Sequence, residues 1–352
     1  MPSAIDRLKA LCGLGAAPQG LARQMTAMSG LPVVELPADD AARRALEDKL
    51  VPMLAAADFA ALGAEYARLF ESKAEFDSGR RQYGAVHAIM LAPLTAAADD
   101  PEHCEALLDT YADHWRDRQD DPVAAGLYAE ALAHTGYAFR GSDWADQVTE
   151  SQWRMMADYV GKSARVLEGC ALDARSHHLW LTSALGVAFA RGAAGQSRAH
   201  AITDAFEAAI ENDPYDIALY ERRAVHLLPR WFGSYEAIEV FARQAMARTG
   251  ARWGASMYAR VYDTIVDFEP LHGTLVEYSL LRQGLQDWME LYPSQALANR
   301  FAAHAHAFND MTTLEALFGE YLREIQPALW FAERQPLAAW NDVMVARRTA
   351  RR

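Results

Sequence analysis

Residues 199–214 read AHAITDAFEAAIENDP, and this stretch decides the fold. Phe206, Ala209 and Pro214 stand three and five positions apart. That is the spacing at which the second helix of a tetratricopeptide hairpin buries its apolar side chains and then stops at proline. Asp216 and a new periodic run toward Leu228 follow at once, so one helix ends and the next begins across a few residues. A single helical hairpin cannot cover its own apolar face and needs neighbours stacked against it.

Outward from this unit the same alternation recurs. In residues 122–140 the positions Ala124, Leu127, Tyr128, Ala131, Leu132 and Tyr137 repeat at steps of three and four, the pattern of one buried helix face. First helices of pairs are predicted near 122–140, 175–191, 216–228, 254–267 and 294–309. Their partners are predicted near 145–170, 196–212, 234–249, 274–291 and 311–325. Strand signals are nearly absent. Residues 33–36 (VVEL) lie between Pro32 and Pro37 and read as an extended linker, after which Asp39 or Asp40 caps a helix through Leu46 and Leu50. The fold class expected is all-α, an irregular tetratricopeptide-like α-solenoid of helical hairpins, with a compact helical bundle as the alternative. An N-terminal helical segment and linker would occupy residues 1–37 and the repeat domain 38–343. A basic tail over 344–352 carries Arg347, Arg348, Arg351 and Arg352.

With 51% hydrophobic and 23% charged residues and only three cysteines among 352, the chain is neither disordered, collagen-like nor disulfide-stapled. Cys12, Cys104 and Cys170 are far apart and form no C-x-x-C, which points to a reducing compartment. The apolar run after Arg7 and Lys9 is short and Gly-interrupted, unlike a signal peptide. No stretch approaches the roughly 20 apolar residues that span a bilayer. A cytoplasmic protein with no membrane partner is expected.

The formal net charge is −13, and residues 99–121 hold nine Asp or Glu against Arg116 and Arg118. Seven of the thirteen excess negative charges therefore sit in 23 residues. Such a field repels phosphate backbones and excludes nucleic acid as a partner for this face. Asp99, Asp100, Glu102, Glu105, Asp109, Asp113 and Asp117 are candidates for an acidic docking face, the alternative being an ordinary solvated helix surface.

Several segments carry a family resemblance: VPMLAAADFAALGAEYARLF (51–70), Arg140 and Gly141 in YAFRGSDWADQV, the DP pair at 213–214, LLPRWFGSYEAIEVFAR (227–243) and YARVY (258–262). Together they resemble an uncharacterised bacterial family that carries a domain of unknown function with an α-helical repeat fold. Phe232 departs from the family pattern, which favours Gly there. The resemblance implies a fold and a bacterial origin and brings no activity. Independently of it, Pro229 ends the helix that starts near Asp216, Gly233 frees the turn, and Ser234 is placed to cap the next helix.

Catalytic and metal templates find little support. Glu130 and His134 share a helical face, but H-E-x-x-H is absent. His304 and His306 point to different sides of a helix, and His177 and His178 stand at a helix start that Ser176 would cap. Asp99, Asp100 and Glu102 imitate the aspartate-rich motif of terpene cyclases, but Pro101 interrupts them and no second metal motif follows. No G-x-S-x-G, Walker loop or G-x-G-x-x-G follows a strand. No metal and no cofactor is expected.

Aromatic and arginine side chains concentrate mid-chain, and these types dominate binding hot spots. Tyr137, Arg140, Trp144, Arg230, Trp231, Tyr258 and Tyr262 are the candidate groove, with burial in the core as the competing reading. The function expected is non-enzymatic protein–protein interaction with a protein or peptide partner. Two alternatives are an intracellular immunity protein that binds a basic toxin through its acidic face, and a small-molecule binder or enzyme with a pocket around Arg140, Trp231 and Tyr258.

Overall fold

A computed structural model describes residues 19–34, 41–142, 147–195, 199–231, 233–332 and 335–350. The chain is all-α: the described residues form sixteen helices and no strand, with two isolated bridges, Val33 to Ile325 and Glu75 to Arg81. The helices are α1 (Gln19–Ser29), α2 (Ala41–Ala55), α3 (Phe59–Ser72), α4 (Gln82–Ala96), α5 (Pro101–Arg116), α6 (Pro122–Arg140), α7 (Glu150–Gly169) and α8 (His178–Ala193). They continue as α9 (Ala199–Asn212), α10 (Ile217–His226), α11 (Tyr235–Trp253), α12 (Ser256–Ile265), α13 (Tyr278–Leu291), α14 (Gln295–Ala307), α15 (Met311–Ala316) and α16 (Gln335–Ala350). The chain divides into two compact units, Asp40–Phe232 and the combination of Met1–Asp39 with Gly233–Arg352. The second division falls inside the connection read from sequence as a hairpin turn, so α10 and α11 belong to different units.

In the unit Asp40–Phe232, α5 and α6 begin where an aspartate meets proline. The carboxylates of Asp100 and Asp121 accept from His103 N at 3.0 Å and Val123 N at 2.8 Å, and Pro101 and Pro122 occupy the first helical positions. Thr149 and Gln152 form a reciprocal capping box at the start of α7. At α8 the cap differs from expectation. His177 Nδ1 accepts from Leu179 N at 3.2 Å, while the Ser176 hydroxyl donates to Asp173 O at 2.8 Å.

Helix α6 is buried on nearly every side and packs on α4, α5, α7 and α8. Its small residues permit this. A Cβ on Gly126 would stand 2.7 Å from Leu179 Cδ2 and 2.8 Å from Ser183 Oγ, and one on Gly136 would stand 3.2 Å from Met156 O. Around it Leu50, Leu62, Tyr66, Val86, Met90 and Leu94 build the apolar centre. Cys104 and Cys170 are free and buried; Cys12 lies outside the described residues.

In the other unit Ser234 caps α11 as the sequence predicts, its hydroxyl accepting from Ala237 N at 3.2 Å. Helix α12 is the interior element, and α13 lies so close that a Cβ on Gly284 would meet Ala255 O at 2.5 Å. Fully buried Asn299 on α14 organises the segment after a π-helical turn at Leu317–Tyr321. Its carbonyl oxygen accepts from Gln326 N and Trp330 Nε1, both at 2.9 Å, and its amide donates to Glu324 O at 3.0 Å. Val34 N and Pro32 O bond Ile325 across this segment at 2.8 Å each. The extended run predicted at 33–36 thus makes one bridge; its last two residues, and the expected caps Asp39 and Asp40, lie outside the described residues.

Candidate functional site

The acidic stretch becomes α5 and its flanks. Cys104 and Tyr111 turn inward, the Tyr111 hydroxyl donating to Met90 O at 2.7 Å, and Leu107 and Leu108 pack beside them. The helical period then sets Glu102, Glu105, Asp109 and Asp113 in line on the outward side. Asp99 and Asp100 precede this row and Asp117 follows it, and all seven carboxylates are exposed. Asp100 is partly used as the helix cap, Glu105 accepts the Tyr159 hydroxyl, and Asp113 pairs with Arg116. The last pair is well exposed on both sides and contributes about 1 kcal/mol or less.

The aromatic and arginine candidates are distributed differently. Tyr137 and Arg140 lie at the end of α6 beside Trp153, whose ring sits 5.2 Å from the Arg140 guanidinium carbon. The Arg140 side chain also donates to Gly141 O at 2.9 Å, and burial pushes the Tyr137 phenol upward. Half-buried Trp231 joins a second cluster, edge-on to Phe189 at 5.2 Å, while Phe189 stacks on His226 at 3.9 Å. Arg230 is exposed; Trp144 lies outside the described residues. Tyr258 and Tyr262 are interior residues of the other unit, 0% exposed. Both hydroxyls donate to Glu239 Oε2, at 2.8 and 2.6 Å, and Tyr258 also accepts from Glu277 N at 2.9 Å. Both tyrosines are thus buried and tied to the helix before them.

Two buried polar clusters in Asp40–Phe232 escaped the sequence reading. Asp213, 2% exposed, takes two hydrogen bonds from Arg81 and one from the Tyr83 hydroxyl at 2.9 Å. Burial alone would raise its carboxyl, but Arg81 holds it below the ordinary aspartate range. Deeper in, His87 Nε2 on α4 lies 3.0 Å from Glu130 Oε1 on α6, and neither atom makes an aligned hydrogen bond among the described residues. Burial again opposes the charge on Glu130, yet the nearby His87 and Arg222 keep it ionised down to about 2. His134, which sequence spacing pairs with Glu130, is held neutral by burial. Neither cluster has a local sequence signal, because its partners come from distant segments of the chain.

Among the described residues no group of three or more His, Cys, Asp or Glu is placed to hold a metal ion. His304 pairs with Asp263 at 2.8 Å and His306 with Asp342 at 3.1 Å, so the two histidines have separate partners. No described helix is long and apolar enough to cross a membrane. Comparison with protein-family models, curated proteins and solved structures finds no match for this chain.

Proposed function

We propose that this chain is a non-enzymatic helical-repeat protein that binds another protein, with the outward side of α5 docking a basic segment of its partner. The supporting observation is the row Glu102, Glu105, Asp109 and Asp113, exposed along one helix and prolonged by Asp99, Asp100 and Asp117. Clustered charge of one sign steers an oppositely charged partner and raises its rate of encounter. The test is titration of the full-length protein with a labelled lysine- and arginine-rich peptide. Glu102→Gln, Asp109→Asn and Asp113→Asn together should weaken binding at least tenfold with the fold intact, since all three side chains are exposed. Equal affinity for both forms refutes the proposal.

The same face supports a narrower reading, an immunity protein that neutralises a basic toxin. A gene for a secreted basic toxin beside this one supports it, and an unrelated neighbourhood counts against it. The family resemblance seen in residues 51–70 and 227–243 suits a bacterial setting and adds no activity of its own.

A further inference from the structure

Two amide side chains one turn apart on α14 hold residues 321–326 along one side. Gln295 donates to Tyr321 O at 3.0 Å and accepts from Arg323 N at 2.7 Å and Glu324 N at 3.3 Å. Asn299 takes Glu324 O and Gln326 N. Ile325, between these anchored neighbours, gives both of its backbone groups to a different segment: its N–H donates to Pro32 O and its carbonyl accepts from Val34 N. Pro327 has no N–H with which to prolong the pairing. The side chains of α14 thus build a short strand edge, fixed in place by bonds that owe nothing to whatever lies across it.

Residues 31–34 lie across it. Gly30, with φ at +73°, turns the chain out of α1. Pro32 then favours an extended Leu31, and the β-branched Val33 and Val34 favour the same conformation. Val33 pairs parallel to Ile325 through the two bonds of 2.8 Å. The rest of the attachment is slight. Met25 of α1 is buried, but Arg23, Gln24, Thr26, Ala27 and Met28 are exposed, and Leu31, Val33 and Val34 are half-buried. A terminal segment held so lightly opens at a much lower free energy than the unit it covers. The segment also shows what the edge accepts, namely a carbonyl and, two residues on, an N–H, flanking a β-branched side chain.

We infer that residues 19–34 are a releasable strap over a peptide-docking edge at Ile325, and that an extended apolar segment of a partner protein, patterned like Leu31–Val34, takes the strap's place. The inference uses no part of the acidic row on α5, so either can fail alone.

The probe is a fluorescein-labelled, amidated peptide Met-Ser-Gly-Leu-Pro-Val-Val, the sequence of residues 28–34, followed by anisotropy with the full-length protein. Its control is N-methylated at the last valine and so lacks the N–H that Ile325 O accepts. In the protein, Met25→Ala removes the buried anchor of the strap, and Val34→Pro removes its donor to Ile325 O. Each variant should bind the probe at least tenfold more tightly than the unaltered protein, and the control peptide should lose that gain. Amide exchange at Ile325 should quicken in both variants and slow again when the probe is added. Equal affinity of all three proteins, equal binding of the two peptides, or a probe that leaves exchange at Ile325 unchanged overturns the inference. Concentration-dependent dimers of the unaltered protein that protect Ile325 also overturn it, in favour of straps exchanged between two copies of the chain.

Discussion

Arg81 and Asp213 stand 132 residues apart in sequence and meet in two parallel hydrogen bonds, Nε to Oδ2 at 2.8 Å and Nη2 to Oδ1 at 3.0 Å. The pair ties the loop before α4 to the loop between α9 and α10. Arg81 Nη1 is also held, by Glu75 Oε1 at 2.7 Å and Lys73 O at 2.8 Å. Removing one member of such a buried pair strands the other charge, which costs about 3–5 kcal/mol. Arg81→Met and Asp213→Asn should each lower the urea midpoint accordingly. The double variant should lose less than the sum of the two, and strict additivity would show that the pair has no coupling.

Asn299 gives a second test, because all of its side-chain capacity is used inside the protein. Asn299→Ala leaves Gln326 N and the Trp330 indole without their acceptor in a dry site, at about 1–3 kcal/mol per group. The expected result is a marked loss of stability with a red-shifted tryptophan emission and faster amide exchange at Gln326 and Ile325. Unchanged exchange at those amides would mean that the segment is held by other contacts.

Where local chemistry sets an element, the sequence was readable. Asp121 and Pro122 start α6 and Arg140 ends it, matching the predicted 122–140, and Ser234 caps α11 as read. The acidic row was equally legible, since exposure follows once Cys104 and Tyr111 turn inward. The buried pairs were not. Asp213 reads as part of a helix stop, and nothing local tells that its carboxylate meets Arg81, nor that Glu130 meets His87 rather than His134. Tyr258 and Tyr262 have the composition of a hot spot, but their burial depends on Glu239 one helix earlier. At α8 the imidazole of His177 takes the cap that the hydroxyl of Ser176 was expected to supply, because that hydroxyl closes a turn with Asp173 instead.

Glycines on two helices should respond in opposite ways to the same change. Alanine is favoured over glycine in a helix by about 1 kcal/mol when its methyl group has space. At Gly161 the nearest atom is a flexible guanidinium nitrogen at 3.6 Å, so Gly161→Ala should stabilise by roughly 0.5–1 kcal/mol. At Gly284 a Cβ would meet Ala255 O at 2.5 Å and Ala259 Cβ at 2.8 Å, which forces α13 away from α12. Gly284→Ala should therefore destabilise by about 1–3 kcal/mol despite its better propensity. Thermal melts of the two variants decide it; a stabilised Gly284→Ala would mean that α12 and α13 do not pack as described.

Acid should weaken the unit Asp40–Phe232 through its buried histidines before its carboxylates respond. Burial, helped by the charges of Arg222 and Arg223, lowers His226 from the usual 6.5 to about 3, and burial also lowers His134 and His177. Between about 3 and 6.5 the unfolded chain binds a proton at position 226 that the folded chain refuses, so stability falls as pH falls through this window. The loss is about 1.4 kcal/mol per pH unit at most for one such group, and it vanishes above the unfolded value. His226→Phe keeps a ring against Phe189, which stacks on His226 at 3.9 Å, and removes the titration. Urea midpoints from pH 7 to pH 5 should therefore fall less steeply for His226→Phe than for the unaltered protein. Parallel slopes would place the acid sensitivity in other groups, with His134 and His177 the next to replace.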